Sequence, residues 1–152
     1  MHAHHLNLLK ATRSNIAKLV EGLSIEQLNH IPEGFNNNLA WNIGHILVTQ
    51  ELLIYRLSNQ TGLIADEWIA AYRKGTKPES PVTEALMQSF LEELDRTIQQ
   101  MHIDFDKHLF KDFKPYPTSY GITLNSVEDA LIFNNLHESM HLGTMIALKK
   151  LV

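Results

Sequence analysis

The stretch from Asn125 to Val152, NSVEDALIFNNLHESMHLGTMIALKKLV, predicts a long helix that runs almost to the end of the chain. The Asn-Ser-Val-Glu start at 125–128 resembles a capping box, which satisfies the free amide groups at the beginning of a helix. Lys149 and Lys150 near the other end suit the negative pole of the helix dipole. We therefore expect a helical fold in which this segment is the last long helix.

Three further segments repeat apolar residues at three- and four-residue steps, as amphipathic helices do. They extend from about Leu6 to Leu23, from Leu39 to Leu57, and from Thr83 to beyond Met101. The cluster Asn36-Asn37-Asn38 is the predicted N-cap of the second segment, and Thr83 is that of the third. In the first of them Lys10, Arg13 and Glu21 lie between the apolar positions, and we assign them to its polar side.

A short extra helix is predicted after the first long one, because Ser24-Ile25-Glu26-Gln27 matches a capping box and Pro32 and Gly34 follow. No segment alternates convincingly as a strand would. The predicted fold is therefore all-α, a four-helix bundle with a short extra helix after helix 1, in a single domain over residues 1–152.

Two connections stand out between these helices. Residues 58–81 form a long excursion with a helical piece at 66–73, and such excursions either cover a site or are plain surface loops. Residues 114–121 contain two prolines and a glycine, so we expect a loop there.

Composition excludes several classes of function. The 152 residues carry a formal net charge of −4, so nucleic-acid binding is not expected. The chain has no cysteine, which excludes disulfides, thiolate metal ligands and a cysteine nucleophile. No apolar run is long enough to cross a membrane, and the first residues lack the apolar core of a signal peptide, so we expect a cytoplasmic location.

Three histidines point to chemistry. His137 and His141 are four residues apart, so they project from one face of the last helix and can grip a metal ion together. His45 lies on the inward side of the second long helix, beside Gly44, where the missing side chain suits the close approach of another backbone. Three protein ligands leave a coordination position open, as in catalytic metal sites. The alternative is that these are ordinary core or surface histidines.

The face of the last helix around these histidines is unusually polar, because Asn134 and Thr144 lie on it as well. Buried polar groups need partners, and a metal with a water-filled pocket would supply them. We place the pocket walls at Trp41, at the Tyr55 end of the second helix, and at residues 68–72.

The segment His137-Glu138-Ser139-Met140-His141 also matches the H-E-x-x-H motif of metalloproteases, in which the glutamate is a general base. The third ligand that such proteases take downstream is missing, and so is their sheet. Di-iron bundles need a second E-x-x-H unit, and none is present. Glu138 lies about 80° from the histidine direction, so we expect it to be solvated or to contact a water at the rim of a mononuclear site.

Taken together, these motifs resemble the DinB-like (YfiT-like) family of metalloenzymes over essentially the whole chain. Trp41-Asn42-Ile43-Gly44-His45 is similar to the W-x-x-G-H segment of that family, and residues 137–143 are similar to its H-E-x-x-H-x-G segment. The residue after Gly143 is Thr144, where many relatives carry glutamine.

The resemblance implies a four-helix bundle with one divalent metal ion held by His45, His137 and His141. Zinc and nickel are the leading candidates, with manganese and iron as alternatives. It also implies a homodimer, and a transferase that activates a low-molecular-weight thiol for a small-molecule substrate. A metal-dependent hydrolase and a non-catalytic, metal-stabilised bundle with a role in stress remain open as alternatives.

Overall fold

The computed structural model describes residues 2–152, which form an almost wholly helical chain. The long helices are α1 (His2–Val20), α3 (Leu39–Gln50), α5 (Glu84–Asp106) and α6 (Val127–Lys149), and the short ones are α2 (Ile25–Asn29) and α4 (Asp66–Tyr72). This arrangement confirms the predicted all-α bundle with an extra short helix after α1. No helix in the described chain has the length and apolarity to cross a bilayer.

The helices begin at the caps that the sequence predicts. Ser24 forms a complete capping box, because its Oγ accepts from the Gln27 amide at 3.3 Å and Gln27 Oε1 accepts from the Ser24 amide at 3.0 Å. Asn38 Oδ1 accepts from the Trp41 amide at 2.8 Å and so begins α3. Thr83 and Ser126 cap α5 and α6 in the same way. These local bonds account for where each helix starts.

The four long helices surround two adjoining clusters of buried apolar side chains. α1 packs against α6 and α5, and α3 packs against the same two helices, so the order around the bundle is α1, α6, α3, α5. α3 is buried along nearly its whole length, since all of its first ten residues are buried. The contact between α3 and α6 is therefore an interior seam of the bundle.

Two local details differ from expectation. The second long helix was expected to be regular to Leu57, but after Gln50 it widens into a π-helical segment, Glu51–Arg56. The expected loop at 114–121 contains strand β1 (Tyr116–Pro117), which pairs antiparallel with β2 (Thr123–Leu124). Neither feature produces a periodic pattern in the sequence, because the π-helical segment spans only six residues and the two strands form only two residue pairs.

Candidate metal centre

Three histidines meet at the seam between α3 and α6. One ring nitrogen from each of His45, His137 and His141 lies within 4.8 Å of the other two. The Nε2 atoms of His45 and His137 are 3.3 Å apart. The fold thus brings together the three side chains that the sequence singled out and places them to bind a metal ion.

Hydrogen bonds behind the rings orient two of the three imidazoles. His45 Nδ1 donates to the Tyr72 carbonyl at 2.7 Å, and His141 Nδ1 donates to Asn42 Oδ1 at 2.7 Å. The Asn42 amide is itself held, because its Nδ2 donates to the Asn38 carbonyl at 2.7 Å. With Nδ1 protonated, Nε2 of both rings presents a lone pair to the centre, as ligating histidines do. His137 Nδ1 has no partner among the described residues, so packing alone orients that ring.

Aromatic packing also fixes His45. The Trp41 ring stacks on it with centroids 4.6 Å apart and an interplanar angle of 11°. A Cβ on Gly44 would lie 2.8 Å from the Tyr72 ring, so glycine lets α4 press against α3. We expected another backbone to approach this glycine, and instead an aromatic side chain does. The close approach brings the Tyr72 carbonyl within reach of His45.

Burial keeps the three imidazoles neutral. Burial lowers the pKa of His137 to about 3, and repulsion from the charge that His141 or, to a smaller extent, His45 carries when protonated lowers it further. Burial lowers the pKa of His141 to about 4, again assisted by His45. Burial also lowers the pKa of His45, against the opposing effect of its bond to Tyr72. Three neutral imidazoles that converge in this way form a donor set that fits a divalent cation such as zinc.

Beneath the histidines lies a buried ion pair that the sequence analysis missed. Glu138 is 0% exposed and Arg13 is 2% exposed. Arg13 Nη2 donates to Glu138 Oε1 at 2.7 Å, and Arg13 Nε donates to Oε2 at 2.9 Å. The expectations that Glu138 is solvated or at the metal's rim, and that Arg13 belongs to a polar side, are both wrong.

The remaining polar atoms of this network come from the other long helices. Arg13 Nη1 donates to Thr97 Oγ1 at 2.8 Å and to the Leu94 carbonyl, while Arg13 Nη2 also donates to Gln50 Oε1 at 3.1 Å. A signal was present in the sequence, because Arg13 continues the three- and four-residue steps of the buried positions Leu9 and Ile16. A charge at such a position requires a buried partner.

The two other polar residues of the α6 face bond within the protein, except that Asn134 Oδ1 has no partner among the described residues. Asn134 Nδ2 donates to Glu138 Oε1 at 2.9 Å, so Asn134 belongs to the ion-pair network. Thr144 Oγ1 donates to the Met140 carbonyl at 3.2 Å, one turn back along the helix. The polar stripe therefore divides between the histidine site and the ion pair below it.

A pocket of about 520 Å³ opens beside the histidines. Its walls come from the π-helical segment, from α6, and from the 114–120 part of the connection after α5, which contributes Tyr116 and Tyr120. The Tyr55 end of the second helix lines the pocket as predicted, through Leu52, Leu53, Arg56 and Leu57, although Tyr55 itself donates to Asp104 at 2.7 Å. The other predicted walls are wrong, because Trp41 stacks behind His45 and Trp68 packs on Phe90. The 58–81 excursion does border the site, through Lys74 and the Tyr72 carbonyl.

The chain is similar to a solved structure in its fold and to a family model in its sequence. A crystal structure of a conserved protein from Enterococcus faecalis is similar, with a TM-score of 0.69 and 12% sequence identity, over 100% of this chain and 96% of that one. At this identity the similarity concerns the fold. No curated protein matches the sequence significantly. The family model of the DinB superfamily matches residues 8–145, and the chain belongs to that superfamily.

Proposed function

We propose that this protein is a divalent-metal enzyme that activates a low-molecular-weight thiol and transfers it to a small organic substrate. Membership of the DinB superfamily and the converging imidazoles of His45, His137 and His141 support the metal site. Within the described residues no fourth histidine, cysteine or carboxylate joins this group, which leaves room for an exogenous ligand. Zinc or nickel is the favoured ion, with manganese and iron as alternatives.

The chemistry follows from the charge of the site. A divalent ion held by neutral imidazoles keeps its positive charge and would lower the pKa of a thiol that coordinates it. The chain has no cysteine, so the thiol must come from a cosubstrate. The three histidines bind the ion, and Tyr72 and Asn42 hold two of their rings in the ligating tautomer.

One observation favours thiol transfer over hydrolysis. In the described part of the chain no aspartate or glutamate lines the pocket. Glu138, the residue that an H-E-x-x-H hydrolase uses as its general base, is held by Arg13 away from the pocket. A thiol ionised at a metal needs no such base, whereas activation of water commonly uses one. A hydrolase remains the alternative enzyme, and a non-catalytic bundle remains the alternative to both.

The test combines metal analysis with a conjugation assay. We expect about one divalent ion per chain, bound by the wild-type protein and lost in His137→Ala. With glutathione and 1-chloro-2,4-dinitrobenzene as test substrates, conjugation should track metal content across chelated and reloaded samples. His30→Ala, a change at an exposed histidine outside the site, is the matched control.

The outcomes separate the three functions. Conjugation independent of metal, or a wild-type protein that binds no metal, refutes the proposal. Metal-dependent turnover of esters or amides without thiol conjugation would assign the protein to the hydrolases instead. A large fall in Tm on chelation, with no turnover in either assay, would favour the metal-stabilised bundle.

A further inference from the structure

The pocket beside the histidines has a charge opposite to that of the chain. Of the residues that the structure describes, three basic side chains and no acidic one line it, although the protein carries 17 acidic and 13 basic residues. A concave site lined by one sign of charge concentrates ions of the opposite sign. This asymmetry is therefore a property of the pocket and not of the composition.

Two of the three basic groups are free to bind a ligand. Arg56 is occupied, because it pairs with Glu51 at 3.2 Å and with Asp66 at 2.7 Å. Lys74 and Lys114 form no ion pair with any residue that the structure describes. Both are exposed, so they lie at the rim of the pocket.

The two lysines reach the rim from separate, anchored connections. Lys74 follows α4 by two residues, and the Tyr72 carbonyl at the end of α4 is bonded to His45. The Lys114 amide donates to the Leu57 carbonyl at 2.7 Å, which ties its connection to the end of the π-helical segment. Both lysines therefore extend from connections that are tied to elements bordering the pocket.

Most of the surface that lines the pocket is apolar. Leu52, Leu57 and Phe133 contribute hydrocarbon surface, and the histidines form the polar end. A ligand that matches this arrangement has an apolar body with a negatively charged group directed to the rim. Charge-assisted hydrogen bonds from lysine are strong enough to select such a group over a neutral one.

We propose that the pocket selects a carboxylate-bearing organic molecule, whose apolar body packs on Leu52 and Phe133 and whose carboxylate binds Lys74 and Lys114. This inference rests on the proposed function, since it names the substrate class of the same site. The carboxylate is bound at the rim, which leaves the opposite end of the molecule near the histidines.

The experiment compares 4-phenylbutanoate with its neutral amide, 4-phenylbutanamide, by calorimetric titration of metal-free protein. Without metal, a preference for the carboxylate cannot come from coordination. We expect the carboxylate to bind at least about tenfold more tightly. Lys74→Glu and Lys114→Glu should each reduce that ratio strongly, and the double variant should abolish it.

Lys77→Glu and Lys111→Glu are the matched controls, because each carries the same charge change three residues away, outside the pocket lining. They should retain the wild-type ratio. Equal affinity for the two ligands, an equal loss in the control variants, or no binding of either ligand at millimolar concentration overturns the proposal.

Metal binding is measured separately on the same preparations. A protein that binds zinc but does not distinguish the two ligands refutes the carboxylate pocket and leaves the metal-enzyme proposal standing. A protein that distinguishes them but binds none of zinc, nickel, manganese and iron supports the pocket and refutes the proposed function.

Discussion

Arg13 of α1 and Glu138 of α6 form a two-point ion pair from which solvent is excluded, one residue along α6 from His137. The pair joins helices whose contributing residues are 125 positions apart in sequence. Its remaining donors and acceptors reach α3 and α5 through Gln50 and Thr97. All four long helices therefore meet at this one charge cluster, which adjoins the candidate metal centre because Glu138 follows His137 directly in α6.

Removing one partner of the pair should destabilise the protein severely. Arg13→Met leaves the Glu138 carboxylate buried without its cation, and such changes lower the free energy of unfolding by about 3–5 kcal/mol. Arg13→Met combined with Glu138→Gln should lower it by much less than the sum of the single changes, because no charge is left unpaired. Urea unfolding of Arg13→Met, of Glu138→Gln and of the double variant measures these free energies.

Lys10, on the same helix as Arg13, provides the control, because it pairs with Asp95 of α5 at 3.8 Å and both side chains are more than half exposed. Lys10→Met should change the free energy of unfolding by about 1 kcal/mol or less. Equal effects of Lys10→Met and Arg13→Met would contradict the importance assigned to the buried pair.

Asn42 should affect metal binding without being a ligand. Asn42→Ala removes the acceptor that orients His141, and the loss of such partners weakens metal affinity about 10–100-fold. Competition with a chromogenic chelator measures the change for zinc. Asn135→Ala, at an amide on α6 that bonds to the His5 carbonyl instead, is the control. An unchanged zinc affinity in Asn42→Ala would show that the bond from His141 to Asn42 does not hold His141 in place.

Replacement by alanine should change the stability of the protein in opposite directions at Gly44 and at Gly143, the two helical glycines of the site motifs. Gly44→Ala would place a Cβ 2.8 Å from the Tyr72 ring, so we expect α4 to shift, stability to fall, and His45 to lose its Tyr72 contact. Gly143→Ala meets nothing within 4 Å and should raise the free energy of unfolding by about 1 kcal/mol, through helix propensity. Thermal unfolding of both variants checks the sign, and a stabilised Gly44→Ala would contradict the packing argument.

The metal-free protein should lose stability as the pH falls below about 6.5. The folded-state pKa values of His137 and His141 are lowered from 6.5 to about 3 and about 4, so the unfolded state binds more protons across that interval. Stability is then complete above pH 6.5 and falls toward pH 4, by at most about 1.4 kcal/mol per pH unit for each histidine.

Urea unfolding in the presence of a chelator, at several pH values, measures this slope. His137→Asn should flatten it, while His30→Asn, at an exposed position, should leave it unchanged. A slope that is the same in all three proteins would mean that the buried histidines are not responsible.

The homodimer stays a prediction, and α6 offers the face on which to test it. Ile132, Leu136 and Ile146 lie on its outer side, each 45–50% exposed. A twofold contact would cover them with the same face of a second copy. If wild-type protein is dimeric by light scattering, Leu136→Glu should produce monomers, whereas Ile103→Glu on α5 should not. Dimers that survive Leu136→Glu would place the interface elsewhere.

Local chemistry let much of this structure be predicted. The caps at Ser24, Asn38 and Thr83 are bonds within a few residues, and helical periodicity depends only on near neighbours. The geometry of an i, i+4 pair puts His137 and His141 on one face wherever the helix packs. His45 could be predicted as the third candidate ligand because the pattern of apolar residues indicated which side of its helix faces inward.

The sequence alone thus determined the helices, their starts, and the three candidate ligands. The tertiary structure decided that Arg13 pairs with Glu138, that Asn42 and Tyr72 orient the histidines, and that the pocket is walled by residues 114–120. These contacts join positions far apart in the chain, and periodicity carries no record of which distant residue faces which. They depend on how the helices pack, and only the folded chain settles that.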